Sequence, residues 1–162
     1  MVRSRSVPPT APKKLVGVVL LVEDEPSLRA LFQRMLEHLG LTVCPMETPE
    51  EAIAFAESPD RAADVLLTDL QLPGMSGLEL AARVRAVRPG LPVVYTSGLP
   101  REESFGVSSR EYATAEFLPK PFSQAQLGEV VHRLLLLRTP PPDSTDTKEL
   151  PLLDADPPKP PA

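Results

Sequence analysis

The sequence of 162 residues contains one cysteine, Cys44. A lone thiol excludes an intramolecular disulfide and fits a reducing compartment. Excess positive charge is missing as well, since the formal net charge is -5. Binding a phosphate backbone requires a basic surface, so no direct nucleic-acid ligand is expected. No apolar run approaches the roughly 18 residues that would cross a bilayer. The N-terminal MVRSRSVPPTAPKK carries basic residues with no apolar stretch behind them. Neither membrane insertion nor a secretion signal is expected, and the reading is a soluble cytoplasmic protein.

With 42% hydrophobic residues the chain can build one ordinary domain around a real core. Prolines cluster at Pro8, Pro9 and Pro12 and again in TPPPDSTDTKELPLLDADPPKPPA. Proline removes backbone donors and these stretches offer little to bury, so stable structure is not expected there. The resulting division is a basic, proline-containing arm over 1–14, a folded domain over 15–138 and an acidic, proline-rich tail over 139–162. That tail is too short for a DNA-binding or catalytic module. A chain complete from Met1 would therefore act by binding another protein.

Inside the domain, strand and helix patterns alternate. LVGVVLLV (Leu15 to Val22) is a continuous β-branched run suited to a strand buried on both faces. Pro26 opens a helix whose apolar residues recur from Leu28 to Leu39, and Gly40 stops it. LTVCP, DVLLTDL, LPVVYTS and AEFLP read as further strands, the last at a sheet edge because of Pro119. PEEAIAFAES and GLELAARVRAVRPG read as helices, and SQAQLGEVVHRLLLLR as a closing helix capped by Ser123. REESFGVSSREYATA has few apolar residues and predicts a weak fourth helix. In the closing helix, Leu127, Val130, Val131, Leu134 and either Leu137 or Arg138 form the core stripe, leaving Leu135 or Leu136 exposed. Cys44 reads as a small core residue, and His38 and His132 have no metal-ligand partners.

Five strand-then-helix units imply an α/β fold, a doubly wound five-stranded parallel sheet of order 2-1-3-4-5 with helices on both faces. Ligands of such sheets bind beyond the carboxyl ends of the strands, where the strand order reverses. Those ends carry Glu23 and Asp24 on strand one, Asp69 on strand three, Thr96-Ser97-Gly98 on strand four and Lys120 just after strand five. Three carboxylates at one edge repel one another unless a cation joins them, and an all-oxygen donor set favours Mg²⁺ or a similar hard ion. A hydroxyl and an ammonium facing that cation form a socket for a phosphoryl group, with Asp69 as nucleophile and Ser97 and Lys120 on the other oxygens. Gly98 keeps a side chain out of that space.

VLLVEDEP, DVLLTDLQLPGMSGLEL, VVYTSG and FLPKPF, in this order and at these separations, resemble the receiver domain of two-component response regulators. The resemblance covers Leu15 to Arg138. It implies a flavodoxin-like fold, Asp69 as phosphoacceptor, and Mg²⁺ held by Asp24, Asp69 and the backbone carbonyl of Gln71, with Glu23 assisting. It also implies Ser97 and Lys120 as phosphoryl contacts, Ser97 and Phe117 as switch residues, and a cis Lys120-Pro121 peptide. A histidine kinase or phosphotransfer protein is the implied donor, and a receiver fragment of a hybrid histidine kinase is the other reading that the resemblance implies. The output partner is unnamed and would meet the face of the fourth helix, fifth strand and fifth helix, which also admits a homodimer. Four features depart from the family pattern. The weak fourth helix is the largest, Phe117 lacks a phenol, Ser76 stands where many relatives place an acid, and Pro119 stiffens the approach to Lys120. No separate turnover reaction is expected. A phosphatase of the haloacid-dehalogenase kind needs an acid two residues after the nucleophile, where this chain has Gln71. A scaffold that works without phosphorylation usually lacks a pocket residue, and this chain keeps them all.

Overall fold

Five parallel strands are stacked in the order Thr42–Met46, Val18–Val22, Val65–Asp69, Val93–Ser97 and Ala115–Pro119 in the computed structural model, which describes residues 14–99 and 115–137. The elements in chain order are β1 (Val18–Val22), α1 (Pro26–His38), β2 (Thr42–Met46), α2 (Pro49–Glu57) and β3 (Val65–Asp69). A small antiparallel hairpin follows, β4 (Gln71–Leu72) and β5 (Met75–Ser76), and leads into α3 (Gly77–Val87). The sheet and the domain are completed by β6 (Val93–Ser97), β7 (Ala115–Pro119) and α4 (Gln124–Leu137). Without the hairpin strands the order is 2-1-3-4-5, the doubly wound arrangement expected from the sequence. Residues 1–13, residues 100–114, where the sequence predicts a weak fourth helix, and the tail from Arg138 lie outside the described residues.

The continuous apolar runs occupy the centre of the sheet, where all five residues of β3 and of β6 are buried. Strands covered on both faces have no polar side to show, so their sequences do not alternate. One face packs Val19, Leu21, Leu67 and Val94 against α1 and α4. The other packs Leu20, Leu66, Val93 and Tyr95 against α2 and α3. Each such side chain contributes on the order of 2 kcal/mol by leaving water. Prolines are confined to the two edge strands, Pro45 in β2 and Pro119 in β7, where a missing donor costs the ladder least.

Helix ends follow local chemistry. Thr48 caps α2, Ser76 caps α3, and Ser123 with Gln126 makes a reciprocal capping box at the start of α4. Ser76 therefore has a structural task at the hairpin exit. In α4 the stripe holds Leu127, Val130, Val131 and Leu134, but Leu135 is also buried and Leu137 is 59% exposed beside Leu136 at 72%. Of the expected pair, Leu136 is the exposed leucine and Leu135 takes a flanking place in the core; Leu137 faces out, and its alternative Arg138 lies outside the described residues. Cys44 is half-buried against the α2 side.

Candidate functional site

The point where the strand order reverses lies between β1 and β3, which are direct neighbours. Glu23 and Asp24 follow β1, and Asp69 ends β3, so the two acidic segments emerge side by side at the carboxyl edge. One carboxylate oxygen from each of Glu23, Asp24 and Asp69 lies within 4.8 Å of the others. Glu23 is 1% exposed and Asp69 9%, which makes the cluster unusually buried for like charges.

Lys120 supplies the counter-charge from the far edge of the sheet. Its backbone N–H donates to the Ser97 carbonyl at 2.7 Å, extending the β6–β7 ladder by one residue. The peptide that follows, Lys120-Pro121, is cis. The ammonium donates to Asp69 Oδ2 at 2.9 Å and to Glu23 Oε2 at 3.0 Å. It also sits 5.8 Å from the centre of the Phe32 ring, which packs on Phe122 with centroids 4.8 Å apart. The two rings shield the ammonium, which favours its bond to the carboxylates.

Burial raises the Glu23 pKa above the ordinary glutamate value, and the hydrogen bond and charge of Lys120 offset this only in part. For Lys120 burial pulls the pKa down, but hydrogen bonds to Asp69 and Glu23 outweigh it and leave the net value raised. The two directions are compatible because one ammonium has two carboxylate partners, whereas Glu23 must share that ammonium with Asp69.

Asp69 Oδ1 accepts the Gln71 N–H at 3.0 Å, so each oxygen of this carboxylate has one donor and keeps lone pairs to spare. Gln71 itself is exposed at the start of β4. Ser97 is 1% exposed, and its hydroxyl accepts the Leu99 N–H at 3.0 Å, closing a turn at the end of β6. Phe117 is half-buried, paired in register with Tyr95 on the α2–α3 face of the sheet. Among the described residues, a Cβ on Gly98 would meet no atom within 4 Å, so their packing does not require that glycine.

Three features were not foreseen. Glu25, and not Asp24, caps α1, accepting the N–H groups of Ser27 and Leu28. This leaves the half-buried Asp24 carboxylate to the acidic cluster. Arg29 donates to the Glu23 carbonyl at 2.8 Å. Gly77 lies so close to the end of β3 that a Cβ would stand 2.2 Å from the Asp69 carbonyl oxygen. The glycine in PGMSG was a signal for that approach.

The donor set suits a small hard cation. Two oxygens on opposite sides of one Mg²⁺ stand about 4.2 Å apart at most. The 4.8 Å spread is thus a small side-chain adjustment from coordination, and Asp24 and Asp69 are the direct candidates. Both Glu23 oxygens already have donors, Lys120 and the Glu25 N–H, so its contribution fits best through water.

A doubly wound parallel sheet that gathers three carboxylates and a lysine at its switch point defines a receiver-type signalling domain. The chain belongs to the response regulator receiver domain family, whose model matches residues 19–132. Among curated relatives it is 33% identical to the DNA-binding transcriptional regulator NtrC of Salmonella typhimurium, over 74% of this chain and 25% of that protein. It is 34% identical to the sensor kinase CckA of Brucella abortus, over 74% of this chain and 12% of the kinase. The chain therefore spans a quarter or less of these relatives. Among solved structures, the receiver domain of the hybrid histidine kinase CckA superposes with a TM-score of 0.62 at 31% identity, covering 74% of this chain and 99% of that one. The receiver domain of the sensor histidine kinase PA1611 from Pseudomonas aeruginosa PAO1, which has magnesium coordinated in its active-site cleft, gives 0.62 at 25% identity over 75% and 98%. Among the described residues no helix is long and apolar enough to cross a membrane.

Proposed function

We propose that residues 15–138 form a cytoplasmic switch of a two-component phosphorelay, with Asp69 as the phosphoacceptor. A histidine kinase or phosphotransfer protein is the donor. An O–P bond forms at Asp69 as the N–P bond to the donor imidazole breaks. The observation that carries this reading is the Glu23, Asp24 and Asp69 cluster, in which one ammonium bridges Glu23 and Asp69. Asp24, Asp69 and the Gln71 carbonyl would hold Mg²⁺, with Glu23 assisting, and the ion would neutralise charge on the phosphoryl oxygens. Lys120 then exchanges a carboxylate partner for a phosphoryl oxygen, and the Ser97 hydroxyl leaves Leu99 to take another.

Those two movements would bias the Phe117 side of β7 and the neighbouring face of α4, through which the domain signals by protein contact or by pairing with a second copy. Leu136 and Leu137, exposed on α4, suit such a contact. The similarity to CckA favours a second reading, in which this is the receiver of a hybrid kinase. Incubation with acetyl phosphate and Mg²⁺ should add the mass of one phosphoryl group, lost in Asp69→Asn. No mass gain where a control receiver is labelled would overturn the switch and favour a phosphorylation-independent scaffold.

A further inference from the structure

Both main-chain polar groups of Glu23 are held, in addition to both of its carboxylate oxygens. The N–H donates to the Met46 carbonyl at 3.2 Å, and the carbonyl accepts from Arg29 at 2.8 Å. Oε1 accepts the Glu25 N–H at 3.2 Å and Oε2 accepts the Lys120 ammonium at 3.0 Å. Three of these four contacts come from backbone or from the lysine of the phosphoryl site. Only the Arg29 contact comes from a side chain outside that site, on the second turn of α1.

We infer that Arg29 is a positioning residue of the phosphoryl site, fixing the Glu23-Asp24 segment so that its carboxylates stand ready for a divalent cation. The inference rests on the metal reading above. Its other neighbour is Glu47, at 4.0 Å and with a side chain 64% exposed, a pair too far apart and too wet to hold the guanidinium. The charged hydrogen bond to the buried carbonyl is the stronger of the two. A guanidinium on a helix also relates the loop to α1 as a rigid body, which a backbone bond within the loop does not. Residues of this kind, one step removed from the ligands, typically change metal affinity by about tenfold or more when lost.

The side chain forms part of the wall of an open pocket of about 330 Å³ between α1 and the end of β2, with Gln33, Pro45 and Glu51. Shortening it widens an open pocket instead of leaving a sealed void, so the fold should tolerate the change. The test is Mg²⁺ titration calorimetry on Arg29→Met, Arg29→Lys and Glu47→Gln, with amide hydrogen exchange of Asp24 and Glu25 in metal-free protein. Arg29→Met should weaken Mg²⁺ about tenfold and speed exchange at those two amides. Arg29→Lys should recover part of both, and Glu47→Gln should stay within about twofold of wild type. An Arg29→Met protein that melts lower but binds Mg²⁺ like wild type, or a Glu47→Gln protein as impaired as Arg29→Met, overturns the inference. Wild type that fails to bind Mg²⁺ overturns the metal reading instead, and the exchange rates alone then decide whether Arg29 holds the loop.

Discussion

Lys120 and Asp69 are joined at 2.9 Å by side chains that start just after strand β7 and at the end of β3, with β6 lying between them in the sheet. The lysine has to cross the end of β6, and it does so along the carboxyl edge where Ser97 ends. The ammonium thus occupies, in this structure, space beside the carboxylate that a phosphoryl group would need to share.

Removing that ammonium should hurt most when no metal is present. Lys120→Met leaves Glu23 and Asp69 buried and facing each other, and breaking a buried pair of this kind costs about 3 kcal/mol. Thermal melts should show a lower Tm for the variant in EDTA. Added Mg²⁺ should raise that Tm more than it raises the Tm of wild type, because the cation replaces the lost charge. Equal responses to Mg²⁺ would show that lysine and metal do not serve the same carboxylates.

The raised pKa of Glu23 has a definite sign in the pH dependence of stability. A carboxyl whose folded value exceeds its unfolded value of 4.5 favours the fold in its protonated form. Its contribution is complete below pH 4.5 and is lost as pH rises through the folded value. The stability of wild type relative to Glu23→Gln, in metal-free buffer, should therefore increase as pH falls from neutral towards 4.5 and then level off. Urea denaturation at a series of pH values measures this difference, and a decrease over the same interval would refute it.

Gly77 should tolerate no side chain. With Cβ placed 2.2 Å from the Asp69 carbonyl oxygen, Gly77→Ala forces α3 or the end of β3 to shift. A cost of about 3 kcal/mol is expected from overpacking, together with slower labelling of Asp69 by acetyl phosphate. Denaturation midpoints within error of wild type would contradict this close approach.

Much of this was readable in the residues because burial on both faces of a parallel sheet leaves an unmistakable pattern. The runs VVLLV, VLLTD and VVYTS have no polar alternation, and the acids, hydroxyl and lysine at their ends mark the edge where a ligand would bind. What escaped was decided by tertiary geometry or by a rule within reach. Glu25 caps α1 because it directly precedes Pro26 at the first helical position, a sign that was available in EDEP. The order of Leu135 and Leu137 was not available. At 3.6 residues per turn they flank the stripe at about 80° on either side, and only the packing of α1 and β7 against α4 breaks the tie. Arg29 could not be assigned either, since an exposed helix position and a grip on Glu23 look alike until the loop is folded.

The pocket draws on residues from the beginning, the middle and the last strand of the sheet, and its ammonium is the final piece to leave the ribosome. A nascent chain that has already made Asp69 still lacks Lys120 to balance the acids and lacks β7 to hold β6 in register. The buried acids meet their balancing charge only when the edge strand docks and brings the residue after it, Lys120, to the pocket.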